Sequence, residues 1–269
     1  MTQCSVPVSV PLDRPISSLP EYLEATHELG IDSARRRLWF RGVHDARYAL
    51  VPRLYRSDAG VEELQALERE MFAEFRSRSR SLVAPDIASD WERMFVMQHY
   101  GVPTRLLDWS ENAFYALYFA VSGAAERGFA GDAAVWVIDP AGWNSEIFPT
   151  MQPPGNALCV GEATLDPYEP GRPLEELGES AAALWGLYNN PRITAQRGVF
   201  TVFGRSKSSL QDLFAAQGFA ENVLVCLRLP KSILGELNDQ VRLLGFRESM
   251  IYPDLGGLAT EIRVEHGLP

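Results

Sequence analysis

The sequence predicts a single α+β domain of mixed small β-sheets flanked by helices, and three observations carry that reading. Helical and strand-like segments follow one another without a repeating order, which excludes a solenoid or a regular βαβ array. No stretch rich in serine, glycine or charge divides the chain, so residues 1–269 form one domain. A chain of 269 residues with 46% hydrophobic and 22% charged content can build one large core without a disulfide or metal staple.

The elements follow from local pattern. SSLPEYLEATHELG sets Leu19, Tyr22, Leu23 and Leu29 near helical spacing, with serine to cap the start and Gly30 to end it, giving a helix over 17–29. RRRLWFRG reads as a buried strand from Arg37 to Arg41, left sharply at Gly42. Val61, Leu64, Leu67, Met71 and Phe75 recur at steps of three and four, so a helix runs from Val61 to about Arg80. The next helix begins at Ser89 or Asp90, carries Trp91, Met94 and Phe95 inward, and stops before HYGVP. After TRLLDW, Ser110 is placed to cap a helix that is apolar nearly all round and therefore buried. GDAAVWVIDP is a central strand, and the proline- and glycine-rich stretch 140–173 is a functional or covering loop. A helix is expected at about 174–188, with Leu184, Trp185 and Leu187 in its core. Strands at RGVFTVF and NVLVCLRLP, a helix at about 231–244 and a helical segment after YPDLGG complete the chain.

A net charge of −10 sets the global field against phosphate backbones and anionic membranes, and no run approaches the roughly 20 apolar residues of a bilayer span. Only Lys207 and Lys231 are lysines, so amine chemistry has few candidates, whereas arginine forks abound. Cys4, Cys159 and Cys226 match neither a disulfide framework nor a zinc clip, which points to the reducing cytoplasm, with Cys159 and Cys226 as buried or inert thiols. GxxxxGK[ST], strand-borne GxGxxG, HExxH, paired CxxC and GxSxG are all missing from the sequence.

Two segments carry chemistry. Arg41, ending an aromatic strand beside Gly42, is suited to clamp an anion; its structural alternative is an ion pair with a carboxylate. QHYGVPTRLLDWSENAFYALYFAV gathers His99, Tyr100, Thr104, Arg105, Asp108, Trp109 and Ser110 ahead of the buried helix, a polar density that suggests a cleft. The plainer alternative is an Arg105–Asp108 ion pair with Ser110 as a cap and Trp109 as filler. His44 lies near enough to Arg41 to reach the same cleft. The arginines of RRR at 35–37 and of FRSRSRS at 75–81 read as a solvated face supported by the helix dipole, with nucleic-acid binding as the alternative.

WFRG at 39–42, QHYGVPTRLLDWSENAFYALYFA at 98–120, PRITAQRGVFTV at 191–202 and MIYPDLGGL at 250–258 resemble the successive signatures of FRG-domain proteins, over roughly Leu38 to Leu258. An Arg-Gly at the end of a first strand and a polar triplet ahead of A-L-x-F-A are also similar to ADP-ribosyltransferases. That resemblance implies an ADP-ribosyltransferase-like fold with NAD as the small-molecule substrate, a macromolecular acceptor that is not specified, and room for a cognate protein partner. A bacterial toxin or phage-defence effector is the role it implies. Arg41, Gly42, His99, Tyr100, Arg105, Trp109 and Ser110 would then bind NAD, with Asp108-Trp109-Ser110 in the place of the triplet. Gln196 stands where these enzymes bring a glutamate, and since an amide carries no charge to stabilise a cation, Asp108 or Glu248 is the carboxylate left for that role. Two other readings stay open: a non-catalytic nucleotide- or ligand-recognition module, favoured by Gln196, and a nucleic-acid-processing enzyme.

Overall fold

The computed structural model describes residues 11–32, 37–82, 87–151, 156–187 and 196–268. The chain alternates between strands β1 (Leu12–Pro15), β2 (Trp39–Val43), β3 (Leu106–Ser110), β4 (Ala133–Ile138), β5 (Ala181–Trp185), β6 (Gly198–Phe203) and β7 (Leu224–Leu229) and a set of covering helices. Those helices are α1 (Leu19–Asp32), α2 (Val61–Arg78), α3 (Asp90–His99), α4 (Ala113–Glu126), α5 (Pro140–Ile147), α6 (Leu210–Gln217), α7 (Leu234–Leu243), α8 (Glu248–Ile251) and α9 (Leu255–Glu265).

The mixed α+β class is as the sequence predicts, but the small sheets are one seven-stranded sheet in the order β1-β7-β4-β2-β3-β6-β5. Its pairs are antiparallel except β1 with β7. The reason the sequence suggests separate sheets is visible at the centre. β2 pairs with β4 along its whole length, and β3 with β6 along its whole length, yet β2 and β3 share a single register pair, Phe40 with Ser110. The sheet is therefore two halves joined at one point and parting beyond it.

Alternation along the strands sorts the core. Trp39, Val43, Leu107, Trp109 and Trp136 face one side, where they meet Leu64 of α2, Trp143 of α5 and Phe214 of α6. On the other side Phe40, Val135, Val137 and Val225 meet α4, α7 and Tyr22 of α1. On that same side, but over β3, β6 and β5, Leu106, Phe200, Val202 and Leu184 meet Trp91, Met94 and Phe95 of α3. α3 and α4 thus cover different halves of one face.

Gly42 fixes how closely α4 lies on β2. A Cβ at that position would sit within 2.6 Å of the Ala120 nitrogen and closer still to the Ala116 carbonyl oxygen. The glycine after Arg41 is needed for helix packing. α4 itself is buried as expected, through Tyr115, Ala116, Leu117, Ala120 and Val121. Its cap is Asn112, whose side chain accepts from the Phe114 N–H, whereas Ser110 belongs to the end of β3.

The helix expected at about 174–188 is a short 3-10 turn, Leu174–Glu176, followed by edge strand β5. AAALW pairs with β6 from Ala181–Phe203 to Trp185–Val199, and burial on both faces overrides the helix preference of alanine. Leu184 and Trp185 are therefore strand residues, Trp185 meeting Trp39 edge-on with centroids 5.6 Å apart. The first helix runs two residues past Gly30 to Asp32. The 140–173 stretch opens with α5, capped by Asp139, whose Oδ1 accepts from the Ala141 and Gly142 N–H groups. Cys226 is buried and its thiol is pushed up to about 12 by that burial, whereas Cys159 is exposed, its thiol also raised above the ordinary value, first by partial burial and then by Glu162. Among the described residues no helix is long and apolar enough to cross a membrane. Cys4, Arg35, Arg36 and the PRITA of PRITAQRGVFTV lie outside the described residues.

The α4–β2 contact leaves no space for a methyl group. Gly42→Ala is expected to lower stability by about 3 kcal/mol or more, at the upper end of overpacking costs, measured as a shift of the urea midpoint.

Candidate functional site

Where β2 and β3 part, the gap between α3 and α4 is left open as a cavity of about 660 Å³. Its floor is Phe40, Arg41 and Gly42 of β2, Asp108, Trp109 and Ser110 of β3, and Gly198 and Phe200 of β6. One wall is Phe95, Gln98 and His99 of α3; the other is Ala116, Tyr118, Phe119, Ser122, Gly123 and Glu126 of α4 with His44. Glu248, Tyr252, Asp254, Gly256, Gly257 and Thr260, from α8 and α9, form the roof.

Arg41 spans the parting. Its Nη1 donates to the Asp108 carbonyl oxygen at 2.6 Å, a side-chain bond where the β2–β3 ladder has already ended. The structural alternative, a carboxylate ion pair, is not how Arg41 is held. Burial pulls its pKa down and the nearby Asp108 charge partly offsets this, so the guanidinium is a desolvated cation at the floor of the cavity. Bidentate donors of this kind bind an anion more strongly than they would in water.

Asp108 is the one exposed residue of an otherwise buried strand. Its carboxylate is aimed by a relay: Thr104 Oγ1 donates to Gln98 Oε1 at 2.6 Å, and Gln98 Nε2 donates to Asp108 Oδ2 at 2.7 Å. Thr104 is in turn fixed by the Leu106 N–H, 3.1 Å from Oγ1. Gln98 and Thr104 therefore orient a charged group at the cavity without being charged themselves.

Glu248 faces the floor from the roof. Its side chain is 12% exposed, with Oε1 3.4 Å from Arg242 Nη1 and Oε2 buried without a hydrogen-bond partner. The Tyr118 hydroxyl faces the same carboxylate, and burial together with that negative charge pushes the phenol well above its ordinary pKa. A buried carboxylate oxygen left unsatisfied beside a cavity is a ready acceptor for a ligand hydroxyl.

Gln196 also reaches the cavity, but its amide is already engaged. Nε2 donates to the Ile251 carbonyl oxygen at 2.9 Å, while the Gln196 carbonyl oxygen accepts from Ser110 Oγ at 2.6 Å. The next residue, Arg197, has a φ of 47°, a left-handed conformation costly for a residue with a Cβ. Gln196 ties the floor at Ser110 to the roof at Ile251.

Of the residues expected from sequence, Asp108, Gln196, Glu248, Arg41, Gly42, His99, Trp109 and Ser110 line this one cavity. Tyr100 and Arg105 do not. Tyr100 caps α3 with its ring 65% exposed. Arg105 is buried: its Nε donates to both Glu68 carboxylate oxygens at 2.9 Å, Nη1 to the Phe203 carbonyl and Nη2 to the Tyr168 carbonyl. Its partner is Glu68, not Asp108, and although burial opposes its charge, Glu68 holds its pKa above the ordinary value. Trp109 lies at the floor but is 3% exposed, its Nε1 donating to Thr201 Oγ1 at 3.2 Å. His44 does line the cavity, 3.0 Å from the Tyr48 hydroxyl, with its pKa lowered first by burial and then by Arg127.

Sequence reasoning missed Gln98, Tyr118, Phe119, Ser122, Tyr252 and Asp254. Gln98 opens the QHYGVP block and Tyr252 lies in MIYPDLGG, so both sit in segments already singled out. Tyr118, Phe119 and Ser122 fall within a helix whose apolar run masks the side that faces the cavity.

Removing one partner of the buried Arg105–Glu68 pair leaves an uncompensated charge. Arg105→Met is expected to cost about 3–5 kcal/mol in equilibrium unfolding. Arg41→Ala, losing one hydrogen bond to a carbonyl, is expected to cost only about 1 kcal/mol in the same experiment.

Residues 36–128 match the family model of the FRG domain, a stretch that holds both WFRG and the 98–120 block. The matched stretch runs from just before β2 through α4. It supplies Arg41, Asp108 and both walls of the cavity, while Gln196 and Glu248 lie outside it. The chain matches no curated protein and no solved structure.

Proposed function

We propose that this cavity binds NAD and cleaves its nicotinamide–ribose bond, as an ADP-ribosyltransferase-like enzyme. The observation that carries the reading is the opposition of Arg41 and Asp108 at the floor to Glu248 at the roof, across one cavity. Its volume of about 660 Å³ lies within the range of roughly 300–1,000 Å³ for small-molecule sites. Among the described residues that line it, Asp108, Glu126, Glu248 and Asp254 stand against Arg41, a balance that suits a ligand with a positively charged part. Oxidised NAD has that composition, with a cationic nicotinamide ring and an anionic diphosphate.

The residues divide the work accordingly. Arg41 holds the diphosphate, and the ring faces of Phe40, Phe95, Phe119 and Tyr252 give the apolar surface on which the flat rings lie and from which water is displaced. The ring nitrogen leaves with the bonding pair as neutral nicotinamide, a fixed carboxylate stabilises the positive charge left on the sugar without reorganising, and C1′ is then taken by the acceptor nucleophile or by water. Glu248 is the residue for that role, since its unpartnered Oε2 can accept from a ribose hydroxyl. Asp108, held by the Thr104–Gln98 relay, is the second negative group. Gln196 acts as the tie between floor and roof rather than as the carboxylate's replacement.

A second reading, a recognition module without catalysis, is favoured by the same Gln196 geometry, because its amide is spent on structure. Calorimetric titration with NAD, followed by chromatography for released nicotinamide, separates the two. The catalytic reading expects saturable binding and nicotinamide release; Arg41→Ala is expected to weaken binding by about tenfold or more, the worth of a charge-assisted contact. Glu248→Gln is expected to slow release by about a hundredfold or more with binding nearly unchanged. Binding without release, also when a cell lysate supplies acceptors, points to a site that holds NAD without cleaving it, and absence of NAD binding overturns the catalytic reading and leaves the recognition module with another ligand.

A further inference from the structure

On the far side of α3 from the main cavity lies a small concavity of about 140 Å³ between α2, α3 and the Pro170–Gly171 turn. The four α2 residues that line it most openly, Arg69, Phe72, Ala73 and Arg76, follow the spacing i, i+3, i+4, i+7 and so form one helix face. Seven residues of helix separate the two arginines by roughly 10 Å along the axis, within reach of two side chains converging on one group over Phe72 and Ala73. Arg93 of α3 contributes a third guanidinium.

The charges do not balance. Glu68, at the edge of the concavity, is committed to Arg105, and Asp90 pairs with Arg93. Arg69 and Arg76 form no ion pair with any described residue. Arg93 is 13% exposed at its side chain, and its Nε is buried without a hydrogen-bond acceptor. A charged donor left unsatisfied in a partly dry recess is costly, and two further unpaired guanidinia beside it raise the local positive potential in a chain of net charge −10. A tetrahedral oxyanion would satisfy all three, because arginine forks match phosphate oxygens in geometry as well as charge.

We propose that Arg69, Arg76 and Arg93 form an anion site for a phosphate group, separate from the NAD cavity. The recess is large enough for the phosphate itself and open at its mouth, so the group can arrive as inorganic phosphate or as the phosphate end of a small phosphorylated molecule.

The test is calorimetric titration of the full chain with inorganic phosphate at physiological salt, with phosphorus NMR line broadening as a second readout. Saturable binding is expected, weakened about tenfold or more in R69S/R76S and about as strong as wild type in R41A. Both arginines are exposed on a helix surface, so the double variant is expected to melt like the wild type; R69K/R76K, which keeps the charge but not the fork, is expected to bind with intermediate strength. Ribose 5-phosphate binding more tightly than inorganic phosphate identifies a phosphorylated ligand, and equal binding identifies phosphate alone. The proposal is overturned by a wild type that does not bind, by R69S/R76S binding like wild type, or by R41A abolishing binding, which would place the anion in the main cavity.

Discussion

The structure depends on one steric constraint, the seating of α4 directly on the backbone of Gly42. Because the helix rests on β2, the middle strand of the seven, at Ala116 and Ala120, it covers β2 and the strands on the β4 side, and the half formed by β3, β6 and β5 is left for α3 to cover. Two helices that each cover half of one face cannot meet over its middle. The opening between them falls where β2 and β3 keep only the Phe40–Ser110 pair, so the cavity is a product of the packing scheme as much as of its polar residues.

Two arginines in the same half of the chain show how burial sorts charge. Arg105 is surrounded by acceptors, with a carboxylate and two carbonyl oxygens, and so acts as a pin joining α2, the start of β3, the end of β6 and the turn at Tyr168. Arg41 has one carbonyl partner, from the parted strand, and lines the cavity. The two look equally polar in sequence, and only the third dimension separates a structural cation from one with donors to spare.

Most elements were legible because their signals are local. The α2 and α3 periodicities, the glycine-bounded aromatic strand and the buried α4 run are dictated by residues close in sequence, and so is the cluster of polar residues before α4. What escaped depends on distant partners. The AAALW strand is helix-like alone and becomes a strand only against β6; β1 has little hydrophobic pattern and forms by parallel pairing with β7. At the site, Arg41, Asp108 and Ser110 were legible from strand ends. Arg105 was assigned to the cleft because its real partner, Glu68, is 37 residues away, and the role of Gln196 as a tie depends on Ile251, another 55 residues on.

The site is assembled from two parts of the chain, one inside and one outside the stretch that matches the FRG family model. The stretch 36–128 carries the arginine, the oriented aspartate, both walls and the Gly42 contact that seats α4. The roof, with Glu248, comes from a C-terminal helical pair whose own packing makes few demands on that stretch. Such a division separates the strands and helices that seat the cavity's arginine and aspartate from the helices that close it, so likeness over residues 36–128 speaks for the first and says nothing of the second.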